Sequence, residues 1–203
     1  MKRIIAILFL IILANCQKKE TELEFEKQVM NEIFIDLVDS IYVDTRTMKI
    51  PSKPFLEKGI SDSLKIEKLN KHKLLLEERD KRIILIKNDT SRVVLAIVDT
   101  IAKITDKPEY KIDILQLKES KKYIFKYYSD FPKGRKLWTT KYPYYFGGTI
   151  SLSRIKFNEN KDFGEFSVGI GYYDQDAQGF DVYIKKDTDD NWIIEKIKGT
   201  WIS

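Results

Sequence analysis

The sequence predicts an α+β fold, with an N-terminal amphipathic helix packed on an antiparallel sheet and a C-terminal four-stranded meander. Three observations predict it. After Thr21, apolar side chains recur at three- and four-residue spacing. In the last third of the chain, apolar and polar residues alternate with period two between short polar turns. Finally, Cys16 is the only cysteine among 203 residues. No disulfide can form within the chain, so stability must come from a buried core.

The elements follow in order. Thr21-Glu22-Leu23-Glu24 has the form of a capping box, with Thr21 as N-cap and Glu24 reaching back. Val29, Met30, Ile33, Phe34, Leu37, Val38 and Ile41 then line one side of a helix of about five turns. Gln28, Asn31, Glu32, Asp39 and Ser40 occupy its other side. Pro51 and Pro54 force residues 44–54 into an extended loop. Ser61-Asp62 caps a second helix that runs toward Arg79. Residues 82–87 and 92–104 read as two strands around an Asn88-Asp89-Thr90-Ser91 turn. Residues 93–98 are apolar on both alternations, which predicts a strand covered on both faces. Residues 111–117 and 122–128 read as a further hairpin.

Strands are then expected over residues 147–157, 165–173, 180–185 and 191–202. The spacers between them are short, so the four should pair as an antiparallel meander. Residues 21–203 are expected to form a single domain, with a division into two subdomains near residue 107 as the alternative.

The N-terminus carries an address. Lys2 and Arg3 precede ten uncharged apolar residues, Ile4 to Leu13. As a helix that run spans about 15 Å, half of a ~30 Å hydrocarbon core, which suits the apolar region of a secretory signal. Leu13-Ala14-Asn15-Cys16 resembles the lipobox of bacterial lipoproteins, with Asn15 where Gly, Ala or Ser is usual. The resemblance implies that residues 1–16 are a signal peptide, that Cys16 is acylated, and that residues 17–20 form a charged tether. The partner so implied is a membrane, reached through the N-terminal lipid. Gly147-Gly148 leading into Ile150-Ser-Leu-Ser-Arg154-Ile155, then Asn191-Trp192-Ile193-Ile194 and the end Thr200-Trp-Ile-Ser203, resemble small exported lipoproteins of Bacteroidota. That likeness implies lipidation and a place in the cell envelope, at the outer membrane, and it brings no catalytic residues.

Composition narrows the chemistry. Losing Lys2 and Arg3 would lower the net charge from +5 to about +3. The remaining lysines are spread along the chain with no basic block, so no nucleic-acid partner is expected. His72 is the only histidine, and with a lone cysteine this excludes the usual zinc ligand sets within one chain; no metal or cofactor is expected. Asp174-Gln-Asp176-Ala-Gln178-Gly179-Phe-Asp181 begins like a calcium loop, but Lys185 stands where a bidentate glutamate is needed, so it reads as an acidic hairpin turn.

Two functional readings follow. The first is an envelope lipoprotein that binds a partner without catalysis. The second is an envelope hydrolase with a carboxylate-based site in the sheet, drawing on Asp36, Asp39, Asp99, Asp113 or Glu165 near Arg154 or a tyrosine. The first rests on aromatic density. Tyr123, Phe125, Tyr127, Tyr128, Phe131, Trp138, Tyr142, Tyr144, Tyr145 and Phe146 crowd one segment, interleaved with lysines. Trp138, Tyr142, Tyr144 and Tyr145 with Lys136 and Lys141 are the candidate binding residues, suited to stacking on a glycan or anchoring an envelope protein.

Overall fold

The structure, a computed structural model, describes residues 21–48, 53–57, 59–101, 109–174 and 176–203. The signal peptide, Cys16, the charged tether, Pro51 and the loop around residue 107 lie outside the described residues.

Helix α1 (Glu22–Ile41) begins as the sequence predicts. Thr21 Oγ1 accepts from the Glu24 backbone N–H, and the Glu24 carboxylate accepts from the Thr21 N–H at 2.9 Å. Its apolar stripe, from Val29 to Ile41, is buried along its whole length. A one-turn helix α2 (Thr45–Met48) and a 26-residue helix α3 (Asp62–Lys87) follow. Helix α3 starts after Ser61 as expected, although the Ser61 side chain makes no capping hydrogen bond, and it runs through residues 82–87, where the sequence suggests a strand. Ile83, Ile84 and Ile86 favour strands intrinsically, yet no glycine or proline interrupts the helix before Asn88. None of the described side chains of α3 is buried.

The sheet is built from β1 (Val93–Ile97), β4 (Tyr123–Tyr127), β5 (Phe146–Leu152), β6 (Lys156–Phe157), β7 (Phe163–Tyr173), β8 (Asp176–Lys186) and β9 (Trp192–Ile202). Between β1 and β4 lies a small antiparallel pair, β2 (Thr100–Ile101) with β3 (Tyr110–Lys111). The spatial order is β4-β1-β5-β7-β8-β9, with β6 pairing β7. The expected meander is present: β5, β7, β8 and β9 pair antiparallel in sequence order. The expected hairpin of residues 111–117 with 122–128 is not. Residues 114–116 form turns, and β4 instead pairs in parallel with β1. The sheet is therefore mixed, since β1 also pairs in parallel with β5.

This arrangement explains the all-apolar β1. Between β1 and β4, the described residues Ile101, Tyr110, Ile112 and Leu117 pack into the main core on the α1 side. The chain from β4 to β5 crosses on the opposite side and covers Val94 and Ala96 with Phe131 and Leu137. Every residue of β1 is consequently buried, as predicted for a strand covered on both faces. Because β1 lies between β4 and β5, a cut near residue 107 would separate hydrogen-bonded neighbours. Gly147 and Gly148 serve the irregularity where β5 meets β1. Gly148 has φ +137, and a Cβ there would overlap the Gly171 carbonyl.

Polar contacts clasp α1 to the sheet at three levels. Near its start, Glu26 is wholly buried and accepts from Arg154 Nε at 2.8 Å, from Arg154 Nη2 at 2.6 Å and from the Ile155 N–H at 2.9 Å. Midway, Glu32 accepts from the Trp192 N–H at 2.9 Å at the start of β9. Near its end, Asp39 accepts from Lys122 Nζ at 2.7 Å and the Tyr123 hydroxyl at 2.8 Å at the start of β4.

Breaking the first clasp on one side should be costly, because it strands a buried charge. Glu26→Ala or Arg154→Ala should each lower stability by about 3–5 kcal/mol. The pair Glu26→Met with Arg154→Met should lose much less than the sum, giving a large coupling in a double-mutant cycle read by urea unfolding. Equal and additive losses would mean that the two side chains act independently.

The third clasp should titrate. Burial works to raise the Asp39 carboxyl, but the hydrogen bonds from Lys122 and Tyr123 outweigh it and hold it below the usual 3.8. A group depressed in the folded state adds stability above its unfolded pKa and loses it as pH falls through the folded value. Thermal melts between about pH 5 and pH 2 should therefore show a falling midpoint, shallower in Asp39→Asn than in the parent chain. Identical acid profiles would remove Asp39 from the acid response.

Candidate functional site

The aromatic segment after β4 begins with a short 3-10 turn, Tyr128–Asp130, and Phe131 drops into the second core. Gly134 takes a left-handed φ of +60, reversing the chain into the one-turn helix α4 (Lys136–Thr139). Leu137 is buried beneath it, and Trp138 lies half-buried with its ring 5.6 Å from Phe146 and 6.5 Å from Tyr173. Tyr142 and Tyr144 stack at 5.4 Å with their planes 12° apart. The Tyr142 hydroxyl donates to the Leu137 carbonyl at 3.0 Å, and Lys126 Nζ sits 4.9 Å from the Tyr144 ring centre. Burial pushes the Tyr142 phenol above its ordinary value, so it stays a neutral donor.

The six expected binding residues do not form one cluster. Trp138, Tyr142 and Tyr144 share the face opposite α1, and Lys136 and Lys141 are exposed beside them. Tyr145 faces the other way. It packs against the α1 core, its hydroxyl lies 2.7 Å from Thr45 Oγ1, and the Arg46 guanidinium covers its ring at 4.3 Å. Alternation along an extended segment sends Tyr144 and Tyr145 to opposite sides.

The carboxylates considered for hydrolysis do not converge. Asp39 serves β4, Asp99 accepts from Ser129 N–H and Oγ, Asp113 caps a turn at Leu115, and Glu165 meets Lys156. A carboxylate does meet Arg154 beside a tyrosine, but it is Glu26, with the Arg154 guanidinium 5.2 Å from the Tyr110 ring. Glu26 was not among the residues picked from the sequence. The signal was there: it lies four, seven and eleven residues before Met30, Ile33 and Leu37, so a charge sits on the apolar stripe. The site is sealed. The cavity beside Tyr110, lined by Lys27, Met30 and Ile112, holds about 10 Å³, a single-water volume.

The open space lies elsewhere. A trough of about 480 Å³ runs over the face of the meander that α1 does not cover, lined by Ser151, Ser167, Gly169, Asp181, Thr200 and Trp201 among others. Neither Trp201 nor the trough was picked from the sequence, because the face depends on the register of three strand pairs. A second hollow of about 400 Å³ lies between Phe55 and α3 beside His72. Asp174 stands at the β7–β8 turn, consistent with the hairpin reading of that acidic run. Among the described residues no group of three or more His, Cys, Asp or Glu could hold a metal ion. Among them too, no helix is long and apolar enough to cross a membrane. No family model matches the chain, and no curated protein or solved structure matches it either.

Burial separates core aromatics from surface ones. Phe131→Ala should cost about 3–5 kcal/mol, as for a fully buried ring. Tyr144→Ala, half-buried, should cost about 1 kcal/mol. Urea unfolding at unchanged m-value measures both, and equal losses would make Tyr144 a core residue.

Proposed function

We propose that the chain is a cell-envelope lipoprotein, tethered to the outer membrane through acylated Cys16, that works as a binding module for a glycan or an envelope protein. One observation supports the binding half most. Aromatic rings with polar handles, Trp138, Tyr142 and Tyr144, share a partly exposed face with Lys136 and Lys141, whereas the Glu26–Arg154 pair is buried and the cavity beside its neighbour Tyr110 holds only about 10 Å³. Hydrolysis, the alternative reading, needs a carboxylate that substrate can reach. The tether rests on the basic start, the apolar run and Cys16 in that order. Two or more acyl chains would make such an anchor stable, where one alone is marginal.

Mass spectrometry of the N-terminal peptide tests the tether. The expected result is a diacylglyceryl-modified Cys16 as the first residue, with Cys16→Ser moving the protein from the membrane to the soluble fraction. An unmodified cysteine, or cleavage elsewhere, ends the lipoprotein reading. Binding is tested by crosslinking in intact envelopes, where Tyr144→Ala combined with Lys141→Ala should reduce adduct formation at unchanged protein level.

A further inference from the structure

The strand register assembles a face that no single stretch of sequence reveals. Ser151 lies opposite Gly169, Gly169 opposite Gly179, and Gly179 opposite Trp201, so these four form one row across β5, β7, β8 and β9. The neighbouring rows are Thr149, Gly171 and Ala177 on one side, and Ser167, Asp181 and Lys198 on the other. Apart from Trp201 and Lys198, nothing in these rows is larger than threonine or aspartate.

The glycines hold the indole flat. A Cβ on Gly179 would overlap the Trp201 ring, and one on Gly169 would touch its far edge at 3.7 Å. One face of the indole therefore lies on sheet backbone, while Trp201 remains 50% exposed. Trp138 stands one row along, where a Cβ on Gly171 would meet it at 3.9 Å. Trp201 thus borders a trough of about 480 Å³ whose floor presents hydroxyls from Ser151 and Ser167 and a carboxylate from Asp181, and Trp138 stands beyond its lining, beside Gly171. The Ser167 hydroxyl donates to Asp181 Oδ1 at 3.1 Å, which uses one of the carboxylate's several acceptor sites.

The chemistry selects an occupant. An amphipathic helix needs a continuous apolar floor, and this one is interrupted by the Ser151 and Ser167 hydroxyls and the Asp181 carboxylate. A polyanion needs a cationic floor, and here Lys198 lies opposite Asp181. A sugar ring offers an apolar C–H face for an indole and hydroxyls that donate to a carboxylate.

We infer that this outer face of the meander is a glycan-binding trough for a neutral oligosaccharide, with one ring stacked on Trp201, its hydroxyls on Asp181 and Ser151, and the chain running toward Trp138. The inference rests on the binding-module reading and gives it a ligand class and a second tryptophan.

The test uses the full chain in detergent on an array of neutral and uronate-bearing oligosaccharides, followed by fluorescence titration with the best neutral probe. Trp201→Ala and Asp181→Asn should each weaken binding about 30-fold or more, the loss of a true anchor. Trp201→Phe should restore part of it, and Leu115→Ala, an exposed position away from the trough, should bind as the parent does. Melting curves of each variant guard against unfolding. Unchanged affinity in a folded Trp201→Ala overturns the inference, as does selective binding of the uronate probes. A blank array overturns it too. In that case crosslinking that still depends on Tyr144 and Lys141 would leave the binding-module reading standing, and its absence would remove both.

Discussion

The structure depends on how α1 is fixed to the sheet. Its apolar stripe supplies the contact area, but hydrophobic burial is non-directional and would tolerate sliding. The directional part comes from Glu26, which is buried at the break between β5 and β6 and receives both the Arg154 guanidinium and the Ile155 N–H. A buried carboxylate is expensive unless its acceptor sites are filled, so a shift of the helix by one turn would strand both charges. Glu32 at β9 and Asp39 at β4 repeat the device on the edges of the sheet. The helix is thus pinned at the centre and at both outer strands.

That arrangement divides the molecule into two unlike sides. The α1 side is closed, because the β1-to-β4 crossover fills the space left beside the helix with Ile101, Tyr110, Ile112 and Leu117. The opposite side is closed only over β1, by Phe131 and Leu137 and the aromatics around them. Beyond β5 no described element covers the rows around Trp201, which carry mostly glycine, serine, threonine and alanine, while larger residues such as Glu165 and Tyr183 stand farther along the same face. An exposed sheet face ordinarily carries long polar side chains. Here small residues leave backbone and indole accessible instead, which puts the room for a ligand on the side that packing does not need.

What could be read from the sequence follows from how local the cause is. The capping box at Thr21, the stripe of α1, the double-sided burial of residues 93–97 and the alternation of the last strands each depend on neighbours within a few residues. The parallel pairing of β4 with β1 does not. The described residues of its crossover contain no helix to announce a parallel unit, and Ile112, Ile114 and Leu117 imitate a strand while serving as core plugs. Residues 82–87 misled for a related reason: their isoleucines favour strands, but helix propagation costs less than a new start. At the site, Tyr145 was wrongly grouped with Tyr144 because composition ignores alternation. Trp201 was overlooked because its meaning comes from Gly169 and Gly179, which only the hairpin registers bring beneath it.

A sheet with one open face must also avoid pairing through its edges, and the two edges solve this differently. Strand β4 is short, five residues, and Lys126 points its charge over Tyr144 beside it. Strand β9 is eleven residues long and would be a template for another chain. It carries Lys196 and Lys198 along its length, and its register against β8 shifts twice, after Gly179 and after Tyr183. Such irregularities twist an edge away from a straight partner. The first of them also separates Trp201, opposite Gly179, from Gly199, opposite Phe180, so the extra residue, Thr200, falls at the lip of the trough. The device that protects the edge is therefore the one that sets Trp201 and Thr200 beside the open face.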